Sequence, residues 1–395
     1  MTTRGALLLA GFVSSVPLAC SDSGDATPQN GAGSGPTAGT MNVAGSNAGT
    51  TSGGSASGGS SGASTAGSAG SNVTGGGTSA GAGGTGGNGG ASGGSGGSGG
   101  GVPLGPVKPV MRDGKWAFDF NDVTFEVDPM VGGRITTFKL GATNLLVSST
   151  DTMNQYYWGS TLWVSPEATK WTQPPPAELD ANPYTATATD TSVTMTSAAY
   201  AKLGITITKT FSVDTKLAAV VIEYKLNNTT QATEQMAPWE VTRVFPKGLT
   251  FFPKGPTAPT LSMGATLTTS ETSNIIWFNY DGPSITKDSK LYADGAEGWV
   301  AHVADGVVFI KSFADVTADK LAPKEGDVEL YVNTDHPDIK RYIEIEDQGA
   351  YGDVAANASM TWTCTWFLRK LPAGVDATPG SAALAQFVRD TIAGK

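Results

Sequence analysis

From Lys115 to Leu371 apolar and polar residues alternate with the period of two that sends successive side chains to opposite faces of a strand. The pattern is plain in Val123-Thr124-Phe125-Glu126-Val127, Arg134-Ile135-Thr136-Thr137-Phe138, Ile205-Thr206-Ile207-Thr208-Lys209 and Val220-Val221-Ile222-Glu223-Tyr224. Turn residues bound these runs, as at Asp128-Pro129, Gly132-Gly133 and Asn227-Asn228. Further strands are predicted at Gly248 to Phe252, Ile275 to Tyr280, Trp299 to Val303, Val307 to Lys311, Asp327 to Val332, Arg341 to Glu346 and Ser359 to Leu368. Helical spacing is convincing only at the C-terminus, where Ser381 is placed to cap a helix with Leu384, Phe387, Val388 and Ile392 on one face. Many short strands without intervening helices predict an all-β fold, a large antiparallel β-sandwich with a short C-terminal helix.

Composition divides the chain. Residues 1–104 hold 33 of the 53 glycines, and no aromatic residue lies between Ser21 and Lys115, so this part cannot build a core. Residues 105–395 carry all nine Trp and 24 Lys and Arg against 33 Asp and Glu. An acidic domain lacks the counterion release that drives nucleic-acid binding, which excludes nucleic acid as a partner. Arg4 followed by the apolar run Gly5 to Leu18 reads as a secretory signal, too short to span a bilayer. Val16-Pro17-Leu18-Ala19-Cys20 resembles a bacterial lipobox, predicting a signal over 1–20, lipidation of Cys20 and a membrane anchor; an ordinary cleaved signal is the alternative. Ser21 after the cysteine favours the outer membrane. Residues 21–104 then form a tether with a reach of roughly 50 Å.

Cys364 alternates with threonines in Met360-Thr361-Trp362-Thr363-Cys364-Thr365-Trp366, which places it as a small hydrophobe on a buried strand face. No His/Cys metal spacing, phosphate loop or nucleophile elbow is present, so neither a metal nor a cofactor is predicted.

Phe125-Glu126-Val127-Asp128-Pro129-Met130-Val131-Gly132-Gly133-Arg134-Ile135 with Asn144-Leu145-Leu146, then Trp158-Gly159-Ser160-Thr161-Leu162-Trp163, Ala237-Pro238-Trp239-Glu240-Val241-Thr242-Arg243-Val244 and Tyr342-Ile343-Glu344-Ile345-Glu346-Asp347-Gln348-Gly349 follow in order. Together they resemble a bacterial branch of the galactose mutarotase-like superfamily, close to but distinct from aldose 1-epimerases, over about residues 115–371. The resemblance implies a sandwich that holds a carbohydrate on one sheet. It also implies a base, in a Glu-x-Gln context, that deprotonates the anomeric hydroxyl while a histidine protonates the ring oxygen. Glu346-Asp347-Gln348 matches that context, so the base role falls on Glu346. The two family histidines have no counterpart. Of the two histidines present, His336 reads as part of a turn, and His302 lies in a strand, either at the site or simply packed.

Glu344 and Glu346 leave one strand face about 7 Å apart, either as a solvated face or as a crowded pair with one raised pKa. Pro238, Glu240 and Thr242 share a face, so Glu240 is a candidate acid facing Glu346, or else the partner of Arg134 or Arg243 in an ion pair. Trp158, Trp163, Trp171 and Trp239 are divided between sugar stacking and core packing, while Arg134, Arg243, Asn154 and Glu344 are candidate sugar ligands. The expected function is therefore a tethered carbohydrate-binding domain with epimerase-type isomerase chemistry. The alternatives are a binding or structural module without turnover and, third, a polysaccharide lyase or glycosidase.

Overall fold

A computed structural model of the protein describes residues 104–395; the expected signal, Cys20 and the tether up to residue 103 lie outside the described residues. The predicted all-β sandwich is present, as two sheets in which every neighbouring pair is antiparallel. The larger sheet runs, in spatial order, Val110–Arg112, Lys115–Phe120, Val123–Asp128, Arg134–Leu140, Ser160–Ser165, Glu234–Val244, Ile343–Gln348, Val328–Val332, Ser289–Ala293 and Thr260–Leu261. The smaller runs Ser270–Thr272, Ile275–Asn279, Leu249–Pro253, Trp299–Ala304, Val307–Phe313, Ser359–Lys370, Ala219–Asn228, Ile205–Asp214, Ser192–Thr196 and Thr185–Ala188.

The alternating apolar residues of both sheets meet in one inter-sheet core. Phe125, Phe138, Phe211, Phe309 and Trp366 pack there edge to face or tilted, with Phe309 and Trp366 centred 4.8 Å apart. Each such ring removes some 150–250 Å² from water, the main term holding the sheets together. Cys364 lies in this core, as its alternation predicts.

A second cluster covers the outer face of the smaller sheet, where the helix Ala382–Ile392 lays Leu384, Ala385 and Val388 on Trp277, Trp299 and Phe367. Ser381 caps it, its hydroxyl accepting from the Leu384 amide at 3.3 Å. Among the described residues no helix is long and apolar enough to cross a membrane.

The third cluster, on the outer face of the larger sheet, is aromatic, built from Tyr157, Trp163, Trp171, Trp239, Tyr331 and Tyr342. A covering segment folds over it, carrying the short helices Ser149–Thr152, Glu167–Lys170 and Ala177–Asp180. Gly132 fixes the last of these. It has φ +65°, and a Cβ there would sit 2.0 Å from the carbonyl oxygen of Asp180, so only glycine lets Asp180 approach the sheet.

Candidate functional site

Five adjacent strands of the larger sheet present alternate residues to the covered outer face. Ser160–Ser165 gives Thr161 and Trp163, and Glu234–Val244 gives Trp239, Val241 and Arg243. Ile343–Gln348 gives Glu344, Glu346 and Gln348, Val328–Val332 gives Glu329 and Tyr331, and Ser289–Ala293 gives Lys290. The intervening Ile343, Ile345, Leu330 and Leu291 go to the inter-sheet core. Register sets the neighbours: Trp239 faces Trp163 and Gln348, Val241 faces Glu346, Arg243 faces Glu344, and Glu329 faces Glu346.

Glu346 stands at the centre and is fully buried. Its Oε2 accepts from the Trp239 indole N–H at 2.7 Å and from the Lys290 ammonium at 2.8 Å, whereas Oε1 is buried with no hydrogen-bond partner. Lys290 also pairs with Glu329 at 2.7 Å and lies 4.6 Å from the Trp239 ring centre, so one cation joins two carboxylates over an indole face. Glu329 Oε1 accepts from the Gly326 amide at 2.7 Å and Gln348 at 3.0 Å. Burial pushes the Glu329 carboxyl well above the usual carboxylate range; Lys290 opposes this, and Glu325 and Glu346 add to it. Burial likewise raises Glu325 and Glu167, at the edge of the same cluster.

Next along the strands lies Arg243, whose Nε donates to Glu344 Oε1 at 2.7 Å. Its guanidinium carbon is 4.9 Å from the Trp163 ring, 5.5 Å from Tyr157 and 6.0 Å from Tyr342, and both terminal nitrogens are buried without hydrogen-bond partners. Burial raises the Glu344 carboxyl to about 7 against the pull of Arg243, with Glu346 adding to the rise. Glu344 and Glu346 share one strand face, as the alternation implies, and that face is buried rather than solvated. Arg134 donates to Asp180 Oδ2 at 2.8 Å and to the carbonyls of Tyr156 and Trp158 at 2.9 and 2.7 Å, tying the covering segment to the sheet. Asp180 also accepts from Thr161 and from the Trp163 indole, each at 2.9 Å.

Glu240 is not where the alternation was taken to put it. It pairs in register with Asp347 and points between the sheets, the opposite side from Glu346, because the outward residues of its strand are Trp239, Val241 and Arg243. Its partners are not Arg134 or Arg243 but Lys311 at 2.8 Å, the Trp366 indole at 3.0 Å and the Tyr224 hydroxyl. Lys311 also contacts Asp347, to which the Cys364 thiol donates at 3.4 Å. Burial raises Asp347 to about 7 against Lys311. Glu240, Asp347 and Cys364 bring their ligand atoms within 4.8 Å of one another, but the ammonium of Lys311 already sits on both carboxylates. This donor set is neutralised from within and fits an ion-pair network rather than a metal centre.

His302 also lies off the site. It is on the side of its strand shared with Val300 and Ala304, in the inter-sheet region, with Nδ1 at 2.9 Å from the Thr250 hydroxyl, and burial lowers it to about 3. Asn154 is turned inward on its own loop: Oδ1 accepts from the amides of Tyr156 and Tyr157 at 2.8 and 3.1 Å, so it shapes the covering segment. Trp158 is half-buried over Arg134, and the Trp171 indole donates to the Val164 carbonyl at 2.9 Å while its ring packs 5.1 Å from Trp163. Lys290, Glu329, Asp180 and Tyr342 escaped the sequence reading. The alternation Glu329-Leu330-Tyr331 could have found Glu329, but Asp180 reaches the site only through the fold of the covering segment.

The chain belongs to the family described as a domain of unknown function (DUF4380), whose family model matches residues 116–369. No curated protein matches it. Among solved structures it is similar to a galactose mutarotase-like protein from Lactobacillus casei, at 9% identity over 65% of this chain and 100% of that one, with a TM-score of 0.48. It is similar also to a galactose mutarotase related enzyme from Lactobacillus acidophilus, at 7% identity over 66% and 98% with a TM-score of 0.44. A galactose mutarotase-like protein from Clostridium acetobutylicum matches at 10% identity over 65% and 95% with a TM-score of 0.40. At these identities no residue role passes from those proteins to this one.

Proposed function

We propose that the covered outer face of the larger sheet is a carbohydrate site and that Glu346 is its reactive carboxylate. The observation carrying this reading is the asymmetry of Glu346, with one oxygen fixed by Trp239 and Lys290 and the other buried without a partner. A buried acceptor left open is costly unless something donates to it, and a sugar hydroxyl is such a donor. The indoles and phenols around it supply the flat apolar faces that pyranose C–H groups pack on, with polar groups to orient the ring. The Glu346-Asp347-Gln348 sequence supports the same assignment.

In the epimerase form of this reading, Glu346 takes the proton of the anomeric hydroxyl as the bond from C1 to the ring oxygen breaks. The ring oxygen takes a proton from Glu329, the acid that replaces the missing histidine. Rotation about the bond from C1 to C2 and reversal of both transfers give the other anomer. Glu240 is withdrawn from the acid role, since it lies on the other side of the sheet. A reading without turnover is favoured by one observation: neither histidine of the chain takes part in the cluster around Glu346. Polarimetry separates the two. An epimerase accelerates mutarotation of the sugar it binds and loses this in Glu346→Gln while keeping the ligand; a binding module shows ligand-induced thermal stabilisation and no acceleration. Export with lipidation of Cys20 at the outer membrane belongs to the same proposal. Mass spectrometry of the mature N-terminus tests it, and an unmodified Cys20 or an N-terminus elsewhere would refute the anchor.

A further inference from the structure

Resting on that reading, we propose that Arg243 forms a carboxylate subsite, so that the sugar this face takes is an acidic one of the uronic acid class. The guanidinium keeps its charge at all working pH values and presents a planar fork of donors, of which only Nε is used, by Glu344 at 2.7 Å. Nη1 and Nη2 are buried and have no hydrogen-bond partner. Buried charged donors are normally satisfied, because leaving them bare forfeits the hydration they had in the unfolded chain. Trp163, Tyr157 and Tyr342 lie around the guanidinium, so aromatic rings hold it in place without supplying an acceptor to the two terminal nitrogens. Two parallel N–H groups on a fixed cation are the complement of one carboxylate.

Position and charge support the assignment. Arg243 faces Glu344, and Glu344 stands two residues from Glu346 on one strand face, about 7 Å along the sheet. A neutral sugar would leave the fork facing hydroxyls, which accept more weakly than an ion. A phosphate dianion would bring twice the charge of a carboxylate toward Glu344, Glu346 and Asp180. Tyr157 lies over Arg243, and its hydroxyl donates to Gln173 Oε1 at 3.0 Å across the covering segment.

The test is isothermal titration of the full-length protein with glucuronate and galacturonate, with glucose and galactose, and with their 6-phosphates. The uronates are expected to bind at least 10-fold more tightly than the matching neutral hexoses, the preference disappearing in Arg243→Gln and being only partly kept in Arg243→Lys. Equal or tighter binding of the neutral sugars overturns the subsite and leaves the carbohydrate reading standing. Tighter binding of the phosphates overturns the carboxylate assignment. Failure of every sugar to bind overturns the carbohydrate reading and the subsite with it. The wild-type comparison decides even if Arg243→Gln fails to fold.

Discussion

Glu240 and Glu346 lie on neighbouring strands, one register position apart, and point to opposite sides of the larger sheet: Glu240 pairs with Asp347, and Val241 pairs with Glu346. The first sits between the sheets on Lys311, Tyr224 and Trp366; the second sits under the covering segment on Trp239 and Lys290. Their substitutions therefore separate stability from ligand chemistry. Glu240→Gln leaves Lys311 with Asp347 as its one carboxylate, beside the Ile345 carbonyl, and should cost about 3–5 kcal/mol of stability, the range for breaking a buried pair. Ligand affinity in the folded fraction should not change. Glu346→Gln leaves Lys290 its pair with Glu329, so it should be the milder change in urea unfolding and the larger one in mutarotation. Equal effects of the two on ligand chemistry would place the site elsewhere.

His302 makes a cleaner negative control than any surface residue. It is buried, bonded to Thr250 and held near pKa 3 by burial, so it stays neutral across the physiological range. Its ring resonances should show no titration between pH 5 and 8 by NMR, and His302→Ala should destabilise the sandwich by about 2–3 kcal/mol through the cavity it leaves. Sugar affinity should be unaltered; a loss of affinity at unchanged fold would return His302 to the site.

The face of Ile343–Gln348 was legible in the sequence because Ile343 and Ile345 alternate with Glu344 and Glu346. The neighbouring strand gave no such contrast: from Met236 to Val244 every residue is buried, Pro238, Glu240 and Thr242 on one side and Trp239, Val241 and Arg243 on the other. Alternation reports burial on one face against solvent on the other, so a strand covered on both sides leaves its orientation undetermined. Strand positions and the capped helix came through well, because local pattern and turn chemistry fix them. The pairing of Arg134 with Asp180, 46 residues apart, depends on how a covering segment closes, which no local period encodes.

Cys364 supplies a probe of the inter-sheet core. Burial, then the neighbouring Asp347 and Glu240 carboxylates, push its thiol well above the usual range, and its Sγ donates to Asp347. Iodoacetamide at pH 8 should leave Cys364 unmodified in the native protein for as long as the sandwich stays closed, and should label it in urea with the same midpoint as Trp fluorescence. Rapid labelling of the native state would show that the core opens well below the global unfolding free energy.

The same buried carboxyls set an unusual pH dependence. Glu344, Asp347 and Asp327 are each raised to about 7, chiefly by burial, from ordinary values of about 4. Between these limits the folded protein holds protons that the unfolded chain has released, so the stabilisation is complete below about pH 4 and is lost as pH rises through 7. His302, lowered to about 3, acts in the opposite sense between 3 and 6.5, but it is one group against these three and against Glu329, Glu325 and Glu167, which burial also raises. Above 7 one group acts in the opposite sense. Lys209, buried against the carbonyls of Gly132 and Gly133, is lowered to about 7, so the unfolded chain holds the extra proton up to about pH 10 and the contribution of this group to stability rises with pH over that range, against those of Glu329 and Cys364. Urea midpoints should therefore fall from pH 5 to pH 7 and fall less steeply toward pH 9. Asp347→Asn should flatten the limb below pH 7 without changing the one above it, while Lys209→Met should change only the limb above pH 7, making the midpoint fall more steeply there. A midpoint that climbs steadily from pH 5 to 7 would mean that these carboxyls are ionised in the fold, with water reaching groups that are buried here.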